Sequence, residues 1–201
     1  YEEAMDIYKE TLGPRHSLVA QTLNNMAIVY QMQDKLDLAL VMCEEVLDIK
    51  KETLGPRHAS VAQTLNNMAI IYQNQGKLDL ALKTYEEAMD IYKETLGPRH
   101  SLVADTLNNM AAVYEQQGKL DLALEAKEEA LDIYKETLGP RHSFVALTLC
   151  NMALVYEEQI QIAKALDCAQ EARGIYVETL GEQHPYSTNS AALLSRLQSL
   201  K

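Results

Sequence analysis

TLGPRH at Thr53–His58, followed after a short interval by TLNNMA at Thr64–Ala69, decides how this chain folds. The same pair stands at Thr11–His16 with Thr22–Ala27, and at Thr95–His100 with Thr106–Ala111. At Thr137–His142 it runs on into TLCNMA, Thr148–Ala153, and a worn form, TLGEQH, ends at His184. His16, His58, His100, His142 and His184 therefore stand at a constant interval of 42 residues. A fixed interval of about 20–50 residues marks an array of small units, each covered by its neighbours. Such a core lengthens with repeat number, so the 201 residues need not be divided into ordinary globular domains.

Each copy reads as two helices. Gly13-Pro14 stops the preceding helix, because Gly suits the positive-φ cap and Pro cannot continue the turn. His16 or Ser17 then offers a cap to the first helix, about residues 17–33. In it Val19, Leu23, Met26 and Tyr30 form one apolar stripe at helical spacing. A tight turn follows. It carries Gly76 and Gly118 in the second and third copies, Asp34 as a tolerable substitute in the first, and Ile160 in the fourth. A β-branched residue is costly in a left-handed turn, so the fourth turn is expected to be looser or reshaped. Gly174, in place of Asp132, is expected to weaken the helix that follows. In the second helix, about residues 36–54, Leu36, Ala39, Leu40, Cys43, Val46 and Leu47 face inward. Asp37 begins it and Lys50-Lys51 lie near its end, which complements the helix dipole. Short connections make such pairs antiparallel.

The expected organisation is one all-α array over residues 1–201. It has a partial second helix at 1–12, units at about 17–54, 59–96, 101–138 and 143–180, and a terminal helix at 185–200. That last helix sets Leu193, Leu194, Leu197 and Leu200 against Ser187, Asn189, Ser190, Ser195 and Ser199, a polar outer side suited to a terminal cap. Beginning mid-repeat at Tyr1, the chain reads as a piece of a longer protein.

The pattern large–x–x–large–small–x–x–Tyr of Leu23, Met26, Ala27 and Tyr30, with Ala81, Tyr85 and Ala88 in a second helix, resembles the tetratricopeptide repeat. Ala39, Cys43 and Val46 match the second-helix pattern more weakly. The usual Trp of the family is Leu here. The 42-residue period, with LG-x-x-H before TLNN, is similar to the lengthened repeats of kinesin light chains and nephrocystin-like proteins. The resemblance spans essentially the whole chain. It implies a right-handed superhelical α-solenoid of antiparallel helix pairs, with first helices lining a concave groove that takes extended peptides or partner proteins.

The groove positions it implies are Gln21, Asn24, Asn25, Ile28 and Gln31 in the first unit, and Gln63, Asn66, Asn67, Ile70 and Gln73 in the second. In the third they are Asp105, Asn108, Asn109, Ala112 and Glu115, and in the fourth Leu147, Cys150, Asn151, Leu154 and Glu157. An Asn amide donates and accepts at once, so the Asn ladder can pair with the backbone of an extended peptide without reading its sequence. Equally, it can bond across to the next unit and tie the repeats together; both uses stay open. Some members of the family grip a ligand's terminal carboxylate with Lys and Arg in the groove. These positions contain neither, so that clamp is expected to be absent. Asp105, Glu115, Glu157 and Glu158 instead point to a neutral or basic peptide.

The net charge of −11 argues against a nucleic-acid backbone as partner. No apolar run approaches the ~18 residues of a membrane span. Cys43, Cys150 and Cys168, odd in number and without a C-x-x-C pair, argue for a reducing, cytoplasmic setting and against a zinc site. Histidines one repeat apart stand too far from each other to converge on a metal. They are expected to pack or cap at the loops, with Arg15, Arg57, Arg99 and Arg141 pairing to nearby Glu. Tyr8, Tyr92, Tyr134 and Tyr176 are expected between repeats with their hydroxyls at the surface. Glu44-Glu45, Glu86-Glu87 and Glu128-Glu129 read as solvated faces, with no burying pocket for acid–base work. Neither an active site nor a cofactor is expected. The function expected is a protein-interaction scaffold, adaptor-like. The alternative is a structural spacer or self-associating array, joined head to tail through its end helices.

Overall fold

The computed structural model describes residues 1–200, apart from the side chain of Glu2. Lys201, the last residue of the expected array, lies outside the described residues. Among the described residues there are ten helices and no strand. They are α1 (Glu2–Leu12), α2 (Ser17–Met32), α3 (Leu36–Leu54), α4 (Ala59–Asn74), α5 (Leu78–Leu96), α6 (Ser101–Gln116), α7 (Leu120–Thr137), α8 (Ser143–Glu158), α9 (Ile162–Leu180) and α10 (Pro185–Gln198).

The chain forms two compact units, Tyr1–Pro98 and Arg99–Lys201. In the first, α2 packs on α3, α3 on α4 and α4 on α5, with α1 against α2. In the second, α6, α7, α8, α9 and α10 pack in sequence in the same way. The contacts are made by the small and apolar positions of the repeat. Val19, Leu23, Ala39 and Val46 are wholly or almost wholly buried in the first unit, as are Val145, Ala153, Ala165 and Ile175 in the second. Burying a Val or Leu side chain contributes about 1.5–3 kcal/mol, and the repeat places several in every helix pair.

The loops explain the invariant TLGPRH letters. Gly55 closes α3 at φ 92 and ψ 152, a backbone region open only to Gly. His58 then caps α4, its Nδ1 accepting the Ser60 N–H at 3.1 Å. His16, His100, His142 and His184 cap α2, α6, α8 and α10 identically, each at 3.2 Å. Arg15 pairs with Glu52, Arg57 with Glu94, Arg99 with Glu136 and Arg141 with Glu178. The His and Arg ladders are thus spent on the loops.

Two expectations are corrected. Ile160 adopts φ 60, close to the φ 70 of Gly118, and keeps the turn: Ile160 N–H reaches the Glu157 carbonyl at 2.9 Å, as Gly118 does that of Glu115. The turn is strained, not reshaped, because its backbone bonds outweigh the cost of the side chain. Ser187 and Ser190 of α10 are buried, not on a polar outer side. Their hydroxyls donate to the carbonyls of Gly181 at 2.7 Å and Ser187 at 2.9 Å, which satisfies them internally.

Candidate functional site

In each unit the first helices stand side by side and turn an amide-bearing face outward. The face comes from α2 and α4 in the first unit and from α6, α8 and α10 in the second. Gln21, Ile28 and Gln63 are exposed, while Gln31, Ile70 and Gln73 are half-buried. In the second unit Asp105, Ala112 and Glu115 are half-buried, whereas Leu147 and Leu154 are exposed.

The Asn pairs divide by role. Asn67 Nδ2 donates to Asn24 Oδ1 at 3.2 Å, joining α4 to α2. Asn108 Nδ2 reaches Thr148 Oγ1 at 3.3 Å and the Tyr134 hydroxyl at 3.4 Å, joining α6 to α8 and α7. These members tie helices together, and Asn66 is also engaged. Asn25, Asn109 and Asn151 are half-buried on the same face and make no hydrogen bond to a described side chain.

Beneath this face lies a second layer contributed by the second helices. The Tyr134 hydroxyl donates to Asp105 and is buried; burial, then the Asp105 bond, raises its pKa. The expected surface position of this hydroxyl is therefore corrected: the ring enters between first helices and its oxygen meets their polar groups from below. Lys127 is 2% exposed, its ammonium 2.9 Å from Glu115 Oε1. In the second repeat Tyr85 occupies the matching place and its hydroxyl donates to Gln73 at 3.5 Å. Glu157 pairs with Arg196 at 2.6 Å. Three of the four carboxylates that marked the face as acidic are thus paired within the chain, and the fourth, Glu158, is exposed at the end of α8.

Lys50 was invisible to a reading confined to the first helices. It does not serve the end of α3 as expected. It turns toward α4, where Nζ donates to the Ser60 carbonyl at 3.0 Å and Thr64 Oγ1 at 2.9 Å. It opens on a pocket of about 260 Å³ lined by Ser17, Gln21, Asn24, Ser60 and Gln63. One signal could have found it: Lys50 stands where the later copies have Tyr92, Tyr134 and Tyr176.

The second unit holds a larger cleft, about 540 Å³, between α8 and α10. Leu147, Leu154, Leu193 and the ring of Tyr176 make it apolar, with Cys150 in its lining. Burial pushes the Cys150 thiol up to about 11, so it is not an activated nucleophile. Among the described residues no group of three or more His, Cys, Asp or Glu is placed to hold a metal ion. Nor is any described helix long and apolar enough to cross a membrane.

Comparison with known proteins agrees with this geometry. The family model for the tetratricopeptide repeat matches residues 1–52, 18–94, 60–136 and 102–176. Among solved structures, BtubC (BKLC) from P. vanneervenii is similar at a TM-score of 0.84 and 20% identity, covering 99% of this chain and 79% of its own. A protein of Podosopora anserina assigned as a kinesin light chain, with nearly identical TPR-like repeats, is similar at a TM-score of 0.76 and 24% identity, covering 90% of this chain and 85% of its own. A single-substitution form of that protein gives 0.77 and 23% over the same shares. At these identities the likeness concerns the fold. No curated protein matches the sequence.

Proposed function

This chain belongs to the tetratricopeptide repeat family, whose repeats are generally protein–protein interaction scaffolds, and we propose that its first-helix faces bind an extended segment of a partner protein. The observation that carries this reading is where the copies differ. They share the loop letters and the apolar stripe of the first helix, yet they read Gln21, Gln63, Asp105 and Leu147 at one outward position and Ile28, Ile70, Ala112 and Leu154 at another. A pure spacer has no use for variety at outward positions of its first helices. Asn25, Asn109 and Asn151 supply amides for the ligand backbone, and the variable neighbours read its side chains. With Asp105, Glu115 and Glu157 engaged internally, the favoured segment is neutral in the second unit, with an apolar residue for the α8–α10 cleft.

Selection from a random peptide display library, followed by substitution, tests this. Peptides enriched on the intact chain should lose binding to Asn109→Ala/Asn151→Ala while its melting temperature stays unchanged. If no peptide is enriched, or if binding ignores both substitutions, the spacer reading replaces this one.

A further inference from the structure

The third and fourth repeats carry the same tyrosine into different company. Tyr134 donates its hydroxyl to Asp105 and accepts an N–H from Asn108, which in turn reaches Thr148. One repeat on, the matching residues are Tyr176, Leu147, Cys150 and Ser190. Leucine has no acceptor to offer, and the Ser190 hydroxyl is turned to the Ser187 carbonyl. Tyr176 is 3% exposed, yet its hydroxyl makes no hydrogen bond to a described residue. Burial, then the neighbouring Cys150, pushes its pKa up to about 12, so at neutral pH it is an O–H with a proton to donate. A buried donor left unmet carries its full desolvation penalty, and native proteins keep few of them.

What the ring faces supplies a reason. Tyr176 lines the cleft of about 540 Å³ between α8 and α10, with Leu147, Leu154 and Leu193 as walls and Cys150 in the lining. The stacked ring of Tyr186, 5.4 Å away, holds Tyr176 in place. A space of this size falls among small-molecule sites, ~300–1,000 Å³, and one peptide side chain does not fill it. Arg196, the charged group of the lining, already pairs with Glu157 at 2.6 Å, so the cleft asks for no charge. We infer that the cleft between α8 and α10 is a binding site for a neutral, largely apolar small molecule bearing a carbonyl oxygen, which accepts the hydrogen bond of Tyr176. A carbonyl fits because it accepts without donating; a ligand hydroxyl would bring a donor of its own, which leucine walls cannot meet. The walls supply burial and the phenol supplies direction. An apolar residue of a bound peptide meets the walls but leaves the hydroxyl unmet, so this site goes beyond the peptide-binding reading and does not depend on it.

Acetophenone and ethylbenzene, which differ by a carbonyl in place of a methylene, test it. NMR titration of the full chain follows the methyl resonances of Leu147, Leu154 and Leu193, which acetophenone should shift. Tyr176→Phe, which removes the hydroxyl alone, should weaken acetophenone about fivefold or more and leave ethylbenzene unchanged or slightly tighter. Each ligand is compared between two proteins, so the ketone's own hydration cancels. In thermal melts Tyr176→Phe should leave stability unchanged, whereas Tyr134→Phe, which takes the donor from Asp105, should lower it. No shift of the leucine methyls by acetophenone, an equal change for both probes in Tyr176→Phe, or a melt lowered as far by Tyr176→Phe as by Tyr134→Phe would overturn the proposal. Neither probe contains a peptide bond, so failure here leaves the peptide-binding reading standing, and failure of that reading leaves this site standing.

Discussion

The ammonium of Lys127 lies 2.9 Å from Oε1 of Glu115, buried under α6, where the preceding repeat sets the hydroxyl of Tyr85 beside Gln73. The two pairs solve one problem twice: a polar tip from the second helix must meet a polar group on the first. Removing one partner of a buried ion pair leaves an uncompensated charge, typically at about 3–5 kcal/mol, and the partial exposure of Glu115 places it at the low end. Glu115→Ala should therefore destabilise the chain by about 3 kcal/mol in thermal denaturation. Installing the earlier solution, Glu115→Gln with Lys127→Tyr, should recover most of that loss. Equal loss in the double variant would mean that the two pairs are not interchangeable.

Ile160 carries the strain of the fourth turn. A left-handed conformation costs an ordinary residue about 1–2 kcal/mol, part of which Gly returns through its larger unfolded-state entropy. Ile160→Gly should raise stability by about 1 kcal/mol, read as a higher melting temperature. Gly118→Ile, the reverse change at φ 70, should lower it by a similar amount.

The histidine caps act through Nδ1 as an acceptor. His58→Ala should cost about 1 kcal/mol, while His58→Asn, which keeps an acceptor at the same end of α4, should cost little. A melt in which both variants fall equally would assign the loss to packing instead.

Burial sets the thiols apart from free cysteine. Cys43, Cys150 and Cys168 are each pushed up to about 11 from 9.0. At pH 7.5 each then has about a hundredfold less thiolate than an unperturbed thiol, and alkylation by iodoacetamide should slow accordingly. Because the folded values are raised, the associated stability is whole below pH 9 and falls as pH climbs from there toward 11. Fast labelling at neutral pH would contradict this burial.

How much of this was legible follows from what a periodic sequence encodes. The constant spacing of the histidines and the Leu23–Met26–Ala27–Tyr30 stripe carried the helix pairs almost to the residue, because stacking repeats the same contacts. The loops were legible too: Arg57 and Glu94 meet because every copy brings them together. What escaped was the layer beneath the outward face. Lys50 and Lys127 sit on second helices, among residues that pattern alone marks as solvated or as complementing a dipole. Only comparison with the Tyr at each matching place reveals that they point inward. Ser187 and Ser190 misled for the opposite reason: polarity suggested solvent, whereas each hydroxyl is satisfied by a nearby carbonyl, a local geometry that composition does not contain.

The division of these pairs along the chain bears on how such a gene can lengthen. Glu115 and Lys127 lie inside one copy, whereas ties between copies, such as Asp37 with Gln75 and Asp121 with Gln159, use an Asp that recurs in the first three copies and a Gln that recurs in all four. A recombination breakpoint at the TLGPRH loops Thr95–His100 or Thr137–His142 therefore moves the Glu115–Lys127 pair as a package. A breakpoint falling between Glu115 and Lys127 strands a charge in the daughter protein.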